Sequence, residues 1–283
     1  MVRRCLLAMP LMLCAAQAAA QSMRPFSTFR QWHGETRLAA RLDFAAGTLR
    51  VGAGRADELY RMDVSYDQDR YAPVGDFDAS RGAVRLGVAA EGRGGVRVVS
   101  QNQLQQSAAV ALSPRADLAL DVELGAVDGE LDLGDLRVSD LDVSAGASRA
   151  TVRFSTPNGI RCGAANLHAG AAQLSVLGLG NSRCDRISFE GGVGQVTLDF
   201  GGAWTSDSRV DIQMALGELT LRLPRRVAVN VTLDKFLSSF DPGGLQLRGT
   251  SYRSPGYEDA VRHLDIDISA AGGAVKVEWS SEP

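Results

Sequence analysis

One short motif recurs five times between Gly129 and Leu221: a small residue, any residue, an aliphatic, a polar residue, another apolar. It reads Gly129-Glu-Leu-Asp-Leu133, Ala150-Thr-Val-Arg-Phe154, Ala172-Gln-Leu-Ser-Val176, Gly194-Gln-Val-Thr-Leu198 and Gly217-Glu-Leu-Thr-Leu221. The central aliphatics are Leu131, Val152, Leu174, Val196 and Leu219, so the steps are 21, 22, 22 and 23 residues by subtraction. A period in this range points to stacked repeats.

Other columns agree with the anchor. Val122, Val143, Ala165, Ile187 and Val210 lie nine residues before it, and Leu124, Ala145, Leu167, Phe189 and Ile212 lie seven before it. The flanking columns are polar: Glu130, Thr151, Gln173, Gln195, Glu218 on one side, and Asp132, Arg153, Ser175, Thr197, Thr220 on the other. Each unit therefore holds two short strands of period two, joined by a corner at Ala126, Ala147, Ala169, Gly191 or Met214. The expected fold is all-β: a parallel β-solenoid of about 22-residue coils, with an N-terminal β region and an irregular β cap at the C-terminal end. The anchors should form one buried row.

The first residues read as an address. Arg3 and Arg4 precede the apolar run from Cys5 to Ala16, and Ala18-Ala-Ala20 supplies a small-residue cleavage site. Cleavage is expected near Ala20/Gln21, releasing the chain into the periplasm or outside the cell. The run is too short to span a bilayer, and no later stretch reads as a transmembrane segment. The expected organisation is a signal peptide over residues 1–20, an N-terminal β domain over 21–115, with Pro114 at its end, and the repeat domain with its cap over 116–283.

Removing the signal leaves 30 − 2 = 28 basic against 33 acidic residues, a net charge of −5. No basic cluster exists, which excludes a nucleic-acid partner. Glycine, 31 of 283 residues, exceeds the usual ~7% and fits the corners of a β protein.

Leu42-Asp-Phe-Ala-Ala-Gly-Thr-Leu-Arg-Val-Gly-Ala-Gly54, followed by Asp57-Glu-Leu-Tyr60 and Val64-Ser-Tyr66, resembles the N-terminal toast-rack domain. The glycine-spaced units that follow resemble the adhesin-like repeats of LiaF-type cell-envelope proteins. The resemblance covers most of the mature chain and implies an envelope β protein. It carries over no functional residue. LiaF-type proteins have N-terminal membrane helices, and this chain shows only a cleavable signal.

Candidate chemistry is sparse. The histidines are His33, His168 and His263. His168 falls beside the polar columns and reads as a solvated imidazole, and His263 lies near Asp265 and Asp267 without further converging ligands. Ser148, in Gly146-Ala-Ser-Arg-Ala150, lacks the final glycine of a nucleophile elbow and reads as a corner residue. Asp132, Asp135, Asp140 and Asp142 form an acidic run without the glycine-rich calcium pattern. No catalytic, cofactor-binding or metal site is expected, and no cofactor. Cys162 and Cys184 are 22 residues apart, one repeat step. Stacked coils would bring them within disulfide reach, and export favours the bond.

The expected function is a non-catalytic envelope protein presenting repeated polar faces to a protein or polysaccharide partner. Two alternatives accompany it: a periplasmic component of an envelope stress response, and a β-solenoid enzyme acting on polysaccharide. The enzyme would need carboxylates clustered on one face.

Overall fold

The structure, a computed structural model, describes residues 22–91 and 106–280. The signal segment lies outside them. The repeats fold as expected into stacked parallel strands. In β7 (Asp117–Asp132), β10 (Cys162–Leu177), β11 (Cys184–Asp199) and β12 (Ser208–Leu223), buried and outward residues largely alternate on both sides of a central bend. The second repeat rung is split into β8 (Arg137–Ala145) and β9 (Arg149–Arg153). Period two puts every second side chain inside, and stacking places like residues over one another.

The registers carry the fold. Leu131 pairs with Val152, Leu174 with Val196, and Val196 with Leu219. All five anchors are buried. One junction departs from the expected alignment: Val152 pairs with Val176, and Leu174 with Ala150. The first half of the rung shifts likewise, since Val143 pairs with Leu167. That step is 176 − 152 = 24 residues. The excess sits in the turn between β9 and β10, where Asn158 is buried among the loops. A shift of two preserves the side-chain face, so the periodicity does not reveal it. The polar columns change with it: Glu130, Thr151, Ser175, Thr197 and Thr220 form one, and Arg149, Gln173, Gln195 and Glu218 another.

The stack reaches beyond the repeats at both ends. β2 (Arg37–Ala53) pairs in parallel with β7 from Arg37/Asp117 to Val51/Leu131, so the ladder runs across residues 115 and 116. β5 (Ala83–Ala90) and β6 (Ser107–Leu112) then pair with the two halves of β2 from outside. At the other end β16 (His263–Trp279) lies between β12 and β13 (Ala228–Asp241). Each end thus has a rung out of chain order. β2 and β16 are internal, although each lies nearer its chain terminus than the rung outside it.

Antiparallel pieces finish the ends. β1 (Met23–Gln31) pairs with β3 (Glu58–Asp67), which pairs with β6, and β4 (Tyr71–Asp78) pairs with β5. Residues 23–31, polar and aromatic, thus form a strand. At the C-terminal end β14 (Gln246–Arg248) and β15 (Ser251–Arg253) form a hairpin whose β15 joins β13 at Asn230, Val231 and Thr232. The segment from Phe236 to Phe240 continues β13.

Loops close the third side of each coil. Phe154, Leu179 and Phe200 are buried there. Asn158 stitches three levels together. Its Nδ2 donates to Val138 O at 2.7 Å and Ser182 O at 3.0 Å, and its Oδ1 accepts from Val138 N at 3.1 Å. Asn181 does the same one level on, donating to Phe154 O and accepting from Ala203 N. Side-chain amides here replace the backbone ladder that the loops lack. Asn181 itself lies in one short helical turn, α1 (Leu179–Ser182).

Candidate binding surface

Two outward faces result, one from each half of the rungs. On the first, the register sets Arg85, Arg41, Asp121, Asp142, Asn166, Ser188, Asp211 and Asp267 in one row. Ser188 Oγ donates to Asn166 Oδ1 at 2.8 Å, as neighbours in such a row can. On the second, Thr151, Ser175, Thr197 and Thr220 stand in register, half-buried. Beside them Arg149 donates to Gln173 at 2.8 Å and Gln173 to Gln195 at 3.1 Å.

Both faces have relief, the second in an open pocket of about 730 Å³ that includes Thr48, Arg50, Asp128 and Glu130; on the first face the relief adjoins the Arg41 charge cluster. β4 and β5 border an open groove of about 660 Å³. Ala39, Ala83 and Ala119 give it a small-residue floor, while Phe77, Arg41 and Asp121 are among its other lining groups. A volume of this size, part apolar and part polar, is within the range of ligand sites. Arg41 anchors its polar side, reaching Asp43 at 3.1 Å, Asp121 at 2.9 Å and Glu123 at 2.5 Å. Arg85 reaches Asp43 at 2.7 Å from the next rung.

Burial raises the Asp121 carboxyl above its ordinary value. Asp142, Glu123 and Asp43 push the same way, and Arg41 opposes them. The Arg41 guanidinium is held more firmly charged, chiefly by Asp43 and then by Asp121. Asp142 follows Asp121 in the row.

The other residues singled out from sequence do not converge. His168 lies 3.7 Å from Glu190 and is partly exposed. His33 contacts its own neighbour Gln31 through a ring nitrogen at 2.9 Å, and His263 stacks edge-on against Tyr257. Ser148 is buried, and its hydroxyl has no hydrogen-bond partner. Asp132 accepts from Ser155 Oγ and Gly134 N, which makes it a turn residue. Asp135, at φ 61°, accepts from Thr156 Oγ1 in the same loop region. Among the described residues no group of three or more His, Cys, Asp or Glu is placed to hold a metal. No helix among them is long and apolar enough to cross a membrane. Cys162 and Cys184 occupy paired register positions, buried, with sulfurs 1.97 Å apart.

The sequence from residue 21 to 177, more than half of the 283, matches the N-terminal domain of toast_rack. The chain belongs to the toast-rack family. The match spans both the antiparallel end pieces and the first parallel rungs, so the toast-rack unit includes the groove. No curated protein matches the chain. A solved structure described as a candidate cell adhesion protein from Clostridium sporogenes is similar over 91% of this chain and 100% of its own, at 17% identity and a TM-score of 0.49. A candidate adhesin from Bacteroides fragilis is similar over 90% and 97%, at 9% identity and a TM-score of 0.36.

The groove was not visible in the sequence. Its floor residues are separated by up to 80 positions, Ala39 and Ala119 meeting only through the β2–β7 register. The signal that could have found it is Arg41, an exposed-type residue inside a strand facing two acidic residues of the next rung.

Proposed function

We propose that this toast-rack protein is an exported, non-catalytic component of the cell envelope that binds a protein or polysaccharide segment. The observation that carries this is the groove beside Arg41 and Asp121: an open, pre-formed channel in which the polar groups are locked by their neighbours. A rigid site of this kind costs little ordering entropy when an extended partner lies along it. Residues 1–20 serve as the signal peptide. Residues 21–115 supply the finished end that walls the groove, and residues 116–283 supply the repeated faces.

The test is retention of purified envelope polysaccharide and envelope protein fractions on the immobilised mature chain. Arg41→Glu and Asp142→Arg should each reduce retention at least tenfold, whereas Arg248→Glu on the distant hairpin should leave it unchanged. Equal retention by all four proteins would remove the groove from the reading.

One observation favours a second reading, cleavage of a glycan. Asp121 and Asp142 are adjacent, and the Asp121 carboxyl is raised, the direction a general acid needs. Turnover of a polysaccharide that is abolished by both Asp121→Asn and Asp142→Asn would establish it. Arg41, ion-paired to Asp121, weighs against it.

A further inference from the structure

We propose that the C-terminal end of the stack is a self-association surface through which two copies of this chain pair about a two-fold axis. The end is open. β13 is paired on its outer side by β15 at Asn230, Val231 and Thr232, and among the described residues no strand pairs with it there from Leu233 to Asp241. An unpaired strand edge is a template for another chain.

The opposite end is closed off only by proline-blunted edges, since no strand among the described residues pairs with the outer sides of β1 and β4. β3 and β4 cover β6 and β5, and the outermost strands β1 and β4 carry Pro25 and Pro73, which have no N–H to offer. Native proteins blunt edges in this way, and β13 from Leu233 to Asp241 contains no proline.

The open edge is also apolar. Val193, Leu216 and Leu237 stand in one outward column, with Gly272 between the last two. Phe236 protrudes at the bend beside them. Phe236 and Leu237 are 82% and 75% exposed. An open trough of about 730 Å³ adjoins Phe236, with Met214, Ala215, Ala270 and Ala271 in its lining. A protruding aromatic and a receptive trough thus share one patch. Contiguous apolar surface of this kind marks an interaction site.

A second copy is the occupant these features fit. A head-to-tail contact would need the proline-bearing edges of β1 and β4 as receptor, so the end without proline, used twice, is the favoured pairing. That contact is isologous and closes at two. Ridge beside trough is self-complementary under a two-fold axis. Charge is partly complementary: Asp234 and Lys235 lie near one end of the free segment and Asp241 at the other. Antiparallel approach brings Lys235 of one copy toward Asp241 of the other.

Sedimentation of the mature chain across the micromolar range tests this. Wild type should be a dimer, and Phe236→Asp and Leu237→Asp should each weaken dimerisation about tenfold or more. Phe29→Asp, at the closed end, should not. Both positions are exposed, so the circular-dichroism spectra of the variants should match wild type. Independently, Ser239→Cys should give a cross-linked dimer under mild oxidation, and Ser80→Cys should not. A wild type that stays monomeric throughout, dimers that survive both substitutions, or no Ser239→Cys cross-link would overturn the proposal. A stable monomer that instead captures a foreign peptide strand at β13 would overturn it as well.

Discussion

Cys162 and Cys184 face one another across β10 and β11, with their Cα atoms 4.2 Å apart. The pair lies where the two rungs begin, beside the Asn158 loop, and both residues are buried. A bond closing a loop of this length contributes on the order of 3 kcal/mol in the chain-entropy model. We predict that exported protein carries the Cys162–Cys184 cross-link. Mass spectrometry of non-reduced peptides should show it, and Cys162→Ser/Cys184→Ser together should lower the melting temperature by roughly 10 °C. Alkylatable thiols at both positions in exported protein would refute the prediction.

Asn158 is the next test of the loop side. Its amide serves Val138 N, Val138 O and Ser182 O at once, with 2% of its surface exposed. Removing it strands buried backbone groups, each costing about 1–3 kcal/mol. Asn158→Ala should therefore destabilise by about 3 kcal/mol. Asn158→Asp keeps the acceptor but loses both donated bonds, so it should rescue little. Urea melts that place Asn158→Ala within error of wild type would show that water replaces the amide.

The cysteine pair and Asn158 mark where the sequence was legible and where it was not. The cysteine spacing equals the repeat step, and β10 and β11 keep a constant 22-residue offset from Cys162/Cys184 to Val176/Leu198, so the two positions share one register. The same periodicity misaligned Val152 with Leu174. Stacking is decided by which rung the loop reaches, and the turn holding Asn158 absorbs two extra residues without changing any face. The out-of-order rungs were illegible for a different reason. β16 has the same alternation as the other rungs, and nothing in its pattern states that it enters between β12 and β13. The groove inherits that limit, since it is made by β2, β4, β5 and β7 from separated stretches of chain.

Val196 and Gln195 separate the inner from the outer face by one residue. Val196 is 3% exposed between Leu174 and Leu219, and Gln195 is exposed beside Gln173 and Glu218. Val196→Asp buries an unpaired carboxylate and should cost more than about 4 kcal/mol, enough to unfold much of the chain. Gln195→Asp should cost about 1 kcal/mol or less. Circular-dichroism melts of the two variants decide the matter, and coincident curves would mean that the register in this part of the stack is wrong.

Gly273 tests the insertion of β16 itself. It lies in register with Gly217 on β12 and Ser238 on β13, so it is gripped from both sides. Its φ is +109°, and a Cβ there would come 1.9 Å from Gly217 O, backbone that cannot rotate away. Gly273→Ala thus combines a left-handed backbone with a clash between rungs. It should destabilise by about 3 kcal/mol or more, and β16 should lose amide protection before β10 or β11. Gly256 supplies the comparison. It also has positive φ, +72°, but a Cβ there meets nothing within 4 Å. Gly256→Ala should cost only the backbone strain, about 1–2 kcal/mol. Hydrogen exchange on both variants reads the difference. If Gly273→Ala proved as mild as Gly256→Ala, β16 would not be held between β12 and β13, and the interlocked C-terminal end would have to be redrawn.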